Sequence, residues 1–405
     1  MKLKPRIKTG IILFNIGVIL QVFGAVYQPT ELGYLASSPG NIFLLISIVF
    51  SFDSIKTNLV SRLGWTLVAC GYLASTVSLL FFGYNELYAL KTLNLGVLNA
   101  LWLSPLICSN FIVTTGLKRS LILALLICGG AVFTSDIFPA LLPDGLRRLI
   151  FAERLSNYWD VRMRGFMTET SHLAWLVSRY LLILILLNES GRKYQSYRFL
   201  ASMVLVATVV LLIGSKGAAF GVAITLASII FDKRRWYLAL LLLPMAAFVL
   251  VYQFDSIIFD VENRTSTATR TGLALASIFA FADNPIGWGY YGFYGVLREA
   301  GMKAIGIINN IGLDSSEILK ITDEFDSVSF KSSIGDFIVV NGFLFFYVVS
   351  RLVSRVDLSD PRARSGLIFF MVSGLSCSGN ESIGFFLGLA VLIKYYSKKQ
   401  LRDKI

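Results

Sequence analysis

Residues 164–187 read RGFMTETSHLAWLVSRYLLILILL, and the rest of the chain is read outward from them. From Phe166 onward the run stays apolar for about the 20 residues that a bilayer-spanning helix needs. Within it Glu169, His172, Leu176 and Arg179 recur at helical spacing, so they fall on one stripe. A carboxylate, an imidazole and a guanidinium on one stripe do not face lipid. They turn into a bundle or a wet cavity, where ionisable groups generally serve function. The structural alternative bonds Glu169 to His172 and ties Arg179 to backbone carbonyls.

The whole chain is made for the same solvent. Of its 405 residues 55% are hydrophobic and 15% charged, with a mean hydropathy of +0.69, above the apolar share of an ordinary soluble domain. Apolar runs place helices over 9–27, 34–52, 63–83, 94–116, 120–138, 166–188, 199–214, 217–231, 236–253, 333–350, 365–379 and 382–396. Their continuity argues against a barrel of short alternating strands. The expected fold is an all-α polytopic membrane protein of about 12 transmembrane helices, with a large, partly helical periplasmic loop between helices 9 and 10. It divides into helices 1–9 over residues 1–253 with a basic loop at 139–165, the large loop at 254–332, and helices 10–12 with a cytoplasmic tail over 333–405. Cys70, Cys108, Cys128 and Cys377 lie in apolar stretches without a CxxC pair, and His172 is the one histidine. Neither a disulfide framework nor a His-rich metal site is expected. The basic start MKLKPRIKTG runs into an apolar segment without a small-residue cleavage site, so a retained first helix is expected.

The net charge of +12 would raise nucleic acid as a partner in a soluble protein. Here the cations cluster between apolar runs, with no RRM, zinc-finger or helix-turn-helix pattern, and no nucleic-acid partner is expected. With the N-terminus inside, the inner segments carry Lys2, Lys4, Arg6 and Lys8, then pairs or clusters such as Lys118–Arg119, Lys233–Arg235 and Arg351–Arg364, while most outer turns are nearly free of cations. By the positive-inside rule both termini are expected in the cytoplasm. Two outer segments break the pattern. Residues 139–165 carry Arg147, Arg148, Arg154, Arg162 and Arg164, and residues 254–332 carry Arg264, Arg270 and four further cations. Cations kept on the disfavoured side point to an anionic ligand there, with lipid headgroups as the alternative.

Two more stretches stand out. In LLIGSKGAAFG (211–221) Lys216 sits among small residues that let two helices approach closely. In DNPIGWGYYGFYG (283–295) glycines alternate with Trp288, Tyr290 and Tyr291, whose ring faces suit stacking on sugars or anchoring at the membrane interface. No Walker A loop, dinucleotide fingerprint, nucleophile elbow or metal-ligand spacing is present.

Taken together, the three elements resemble the O-antigen polymerase and ligase superfamily, the Wzy-like integral membrane glycosyltransferases of the GT-C class. The likeness rests on Arg164, Gly165, Glu169, Ser171, His172 and Ala174; on Ser215, Lys216, Gly217 and Ala218; and on Arg270 with Asn284, Pro285, Gly287 and Gly289. It spans roughly residues 145–345. Thr170 stands where the family often has proline, and Lys216 where arginine is usual. The ligase branch carries a histidine late in the large loop, whereas this chain has SVSFKSSIGDF there, which favours the polymerase branch.

The resemblance implies transfer of a growing polysaccharide from undecaprenyl diphosphate to the non-reducing end of a lipid-linked repeat unit, at the periplasmic face of the bacterial inner membrane. It implies Glu169 or His172 as base or orienter of the acceptor hydroxyl. Arg164, Lys216, Arg270, Arg147, Arg148 and Arg264 would meet the diphosphate, and Trp288, Tyr290 and Tyr291 the sugar. The cations would stand in for a metal ion, so no metal and no cofactor are expected. The partners implied are the two lipid-linked oligosaccharides, membrane lipids, a chain-length regulator and a flippase. Alternatives are the ligase, which transfers polymer to lipid A-core, and a lipid-linked oligosaccharide transporter. Against a transporter, the charges cluster at the outer mouth and no inverted repeat is apparent.

Overall fold

The computed structural model describes residues 5–23, 38–138, 163, 165–167, 170–190, 196–230, 265–323, 329–376 and 381–397. Among them the regular structure is helical, apart from an isolated antiparallel bridge between Val356 and Ser397. The helices are α1 (Pro5–Leu20), α2 (Gly40–Ser51), α3 (Leu59–Phe82), α4 (Glu86–Trp102), α5 (Ser104–Ile107), α6 (Thr114–Val132), α7 (Thr170–Glu189) and α8 (Ser196–Ile213). They continue with α9 (Lys216–Ile230), α10 (Thr265–Asp283), α11 (Gly289–Asn310), α12 (Ser316–Asp323), α13 (Ser333–Asn341), α14 (Phe343–Val353), α15 (Pro361–Ser376) and α16 (Ser382–Tyr395). Helix thus covers part or all of each predicted apolar segment except 236–253, which lies outside the described residues.

Among the described residues, four helical stretches are long and apolar enough to cross a membrane: Pro5–Phe23, Leu59–Phe82, Thr114–Ile137 and Thr170–Glu189. Shorter apolar helices accompany them, and together they fit a membrane-embedded protein. Of the four, α7 is the most enclosed, with 61% of its apolar window buried against 28–33% in the others. It packs against α6, α8, α9, α15 and α16. The helix that carries the ionisable stripe is therefore central.

Two features depart from the expected layout. The segment 333–350 is not one continuous span, because it breaks between α13 and α14 at Gly342, whose φ is +53°. There the DNPIG turn is hydrogen-bonded in: Phe343 N donates to Pro285 O at 2.8 Å, and Trp288 N to Val339 O at 2.8 Å. The second lies in the predicted loop, which is partly helical as expected, with α10, α11 and α12, but has α11 laid along α3. Gly71, Ser75 and Ser78 give α3 a small-residue face that lets α11 approach. Ser75 Oγ accepts from Tyr290 N at 2.8 Å and Tyr291 N at 3.1 Å, satisfying two of the amides that a helix start leaves open.

Candidate functional site

Of the stripe, His172, Leu176 and Arg179 lie on α7, and His172 and Arg179 meet the same residue. Nε2 of His172 stands 3.4 Å from Oε1 of Glu381, which immediately precedes α16. One turn of helix and more away, Arg179 Nη1 donates to the backbone carbonyl of Glu381 at 2.6 Å. The His172 side chain is 41% exposed and that of Glu381 15%, so the imidazole is the reachable partner and the carboxylate stands behind it. A carboxylate so placed holds an imidazole's orientation and stabilises it when it takes up a proton.

Arg179 is a structural residue, as the alternative reading of the stripe has it. Its Nε donates to Ser373 Oγ at 3.2 Å and its Nη2 to Ser373 O at 3.1 Å, while the guanidinium lies 5.5 Å from the Trp175 ring. It is 1% exposed and forms no ion pair with a carboxylate among the described residues. Carbonyl dipoles and a ring face carry the charge, and they lock α7 to α15 and to the start of α16.

The SKGA element forms where α8 ends and α9 begins. Gly214 takes φ +84° and its amide bonds to Val210 O and Leu211 O, closing α8 in the manner of a glycine C-cap. Ser215 then accepts from Ala218 N at 3.5 Å, at the start of α9. A Cβ placed on Gly217 would lie 3.8 Å from Arg270 Nη1 and 3.9 Å from Trp175 Nε1. Three helices therefore converge on one small niche: α7 with an indole N–H, α10 with a guanidinium, and α9 with its N-terminus.

The donors of this niche are open. Trp175 is 1% exposed, yet its Nε1 has no hydrogen-bond acceptor among the described residues. A buried donor left in that state costs on the order of 1–3 kcal/mol. Arg270 is half-buried and has no carboxylate partner among the described residues. Together with the positive end of the α9 dipole, they make this corner of the bundle electropositive, a setting that suits an anion.

The aromatic run is placed differently from its expected role, and this corrects the sugar-stacking assignment for Tyr290 and Tyr291. Tyr290 is 0% exposed and Tyr291 4%. Their hydroxyls donate to Val68 O at 3.3 Å and Gly83 O at 2.6 Å. The half-buried Trp288 donates from Nε1 to Ala280 O at 2.8 Å and packs on Phe81 and Phe82. These rings fasten α11 to α3, and the two tyrosine faces are not open to a sugar.

Glu169, Arg164, Arg147, Arg148 and Arg264 lie outside the described residues, and of Lys216 only the backbone at the start of α9 is described. The structure brings Arg270 and the SKGA turn together with Trp175, and His172 together with Glu381. Glu381 carries no spacing signal, being a single carboxylate in a short polar turn. Trp175 reads in sequence as one more apolar residue of a spanning helix.

No family model matches the chain. A protein of Klebsiella pneumoniae, described as an uncharacterized 49.5 kDa protein in the cps region, is 25% identical over 226 residues. The match covers 52% of this chain and 51% of that protein, so the similarity spans about half the length of each.

Proposed function

We propose that the chain is a polysaccharide polymerase of the Wzy-like kind, joining undecaprenyl-diphosphate-linked oligosaccharides at the periplasmic face of the inner membrane. The observation that carries this reading is the niche at Gly217, where Arg270 and the unmatched Trp175 indole face the start of α9. Similarity to a cps-region protein supports a place in capsule or polysaccharide biosynthesis.

In this reading the donor's diphosphate occupies the niche, and the acceptor hydroxyl approaches His172 one turn away on α7. The hydroxyl oxygen bonds to the anomeric carbon as the bond from that carbon to the diphosphate oxygen breaks. His172 takes the hydroxyl proton while Glu381 steadies the imidazolium. The departing diphosphate keeps the electron pair, and its charge is met by Arg270, the Trp175 N–H and the amides of α9. Lys216, Arg164, Arg147, Arg148 and Arg264 are further candidates for the lipid diphosphates, and Glu169 for the acceptor.

The test is a surface-polysaccharide gel of a deletion strain complemented with wild type, His172→Ala, Glu381→Gln or Arg270→Ala. A single-repeat product in the deletion, and a ladder restored by wild type alone while all variants reach the membrane, is expected. Bare lipid A-core in the deletion moves the chain to the ligase, and a full ladder from every variant makes the constellation structural.

A further inference from the structure

Near the C-terminal end of α16, far from Glu381, the helices leave a second hollow. Over the 14 residues of α16 the separation is about 20 Å at 1.5 Å per residue. It is a cleft of about 570 Å³ lined by Asn58, Ser109, Asn110, Arg351, Arg355 and Lys394 among others, within the size range of small-ligand sites. Three cations from two chain segments face it, and no carboxylate lines it among the described residues.

The walls are fixed before any ligand arrives. Asn58 caps α3 by accepting from Val60 N at 2.9 Å, and its Nδ2 donates to Ser109 Oγ at 2.8 Å and to Asn110 Oδ1 at 2.6 Å. With its Oδ1 engaged, Asn110 keeps its own amide nitrogen as a donor. Lys394 Nζ reaches Ser109 O at 3.3 Å, and the bridge between Val356 and Ser397 holds the chain after Arg355 against the end of α16. Arg351 and Lys394 also sit in the last turns of their helices, where a cation meets the negative end of the dipole. That role does not explain Arg355, which lies beyond α14, or the donor amide beside it.

Like charges gathered in a rigid, partly enclosed cleft repel unless an anion joins them. Two guanidinium forks with an ammonium and an amide match the several oxygens and the charge of a phosphate better than a single carboxylate. We propose that this cleft binds the phosphate of an ester or diphosphate, independently of the His172 site. The source is either a phospholipid headgroup or a soluble phosphate compound.

The full chain is reconstituted in nanodiscs of phosphatidylcholine alone, or with phosphatidylglycerol added, and its melting temperature is followed while inorganic pyrophosphate is titrated into the first set. Saturable stabilisation by pyrophosphate identifies a soluble source, and stabilisation by phosphatidylglycerol a lipid one; either supports the site. The Arg351→Gln/Arg355→Gln variant is expected to weaken the effect at least about tenfold, the loss of one charge-assisted contact. Asn110→Asp, at an exposed position, is expected to do the same by placing a carboxylate in the cleft. If wild type responds to neither probe, or both variants respond as wild type does, the proposal is wrong.

Discussion

Two helix starts in this protein combine glycines with a tryptophan, and they differ in whether the donors are matched. At the start of α11, Trp288 Nε1 bonds to Ala280 O, Tyr290 N and Tyr291 N share Ser75 Oγ, and the two tyrosine hydroxyls reach backbone carbonyls. Next to the start of α9, Trp175 Nε1 has no acceptor, and Arg270 stands without a carboxylate among the described residues. The glycines differ in the same way. A Cβ on Gly289 runs into the Ser75 backbone, whereas one on Gly217 stands in ordinary contact distance of two open donors. One start is closed by packing, and the other leaves the Trp175 indole N–H without an acceptor among the described residues. An unmatched buried donor beside a cation is what sets the α9 start apart as the candidate site.

Substitutions sharpen the contrast. The largest effect is expected from Gly289→Ala, because φ is +63° there and the added methyl meets α3 backbone. A loss of about 3 kcal/mol or more, seen as a fall in melting temperature and in the amount of folded protein, is expected. Arg270→Ala at the open start should leave folded protein in the membrane and lower the rate of polymer formation by about 10²–10³-fold, the usual cost of removing one donor from a developing anion. Tyr291→Phe removes two hydrogen bonds at the closed start, the one its hydroxyl donates to Gly83 O and the one it accepts from Asn85 N. It should cost about 1–3 kcal/mol of stability and leave the polymer ladder unchanged. A shortened ladder from Tyr291→Phe would break the contrast, since it would give the closed start a share in the chemistry.

How far the sequence could see depends on whether a signal was local. Continuous apolar runs announced the helices, and the spacing of His172 and Arg179 announced which face of α7 turns inward. The break at Gly342 escaped, because it is caused by the Pro285–Trp288 turn entering from another part of the chain. The seating of α11 on α3 escaped for the same reason: the small-residue face at Gly71, Ser75 and Ser78 becomes meaningful only beside its partner. Glycines and aromatics in DNPIGWGYYGFYG are equally suited to a binding turn and to a packed helix start, and only the acceptors at Val68, Gly83 and Ala280 separate the two. Glu381 and Trp175 joined the site through contacts across the bundle, with nothing in their own neighbourhoods to single them out.

The central proposal is that a diphosphate binds beside Gly217, and Gly217→Ala tests it most directly. The residue lies in α9 without a positive φ, and the methyl has room. Removing a helical glycine should leave stability unchanged or raise it by about 0.5–1 kcal/mol. The account predicts that the purified variant melts no lower than wild type while its rate of polymer formation falls at least about tenfold. A variant equally stable and equally active would contradict it.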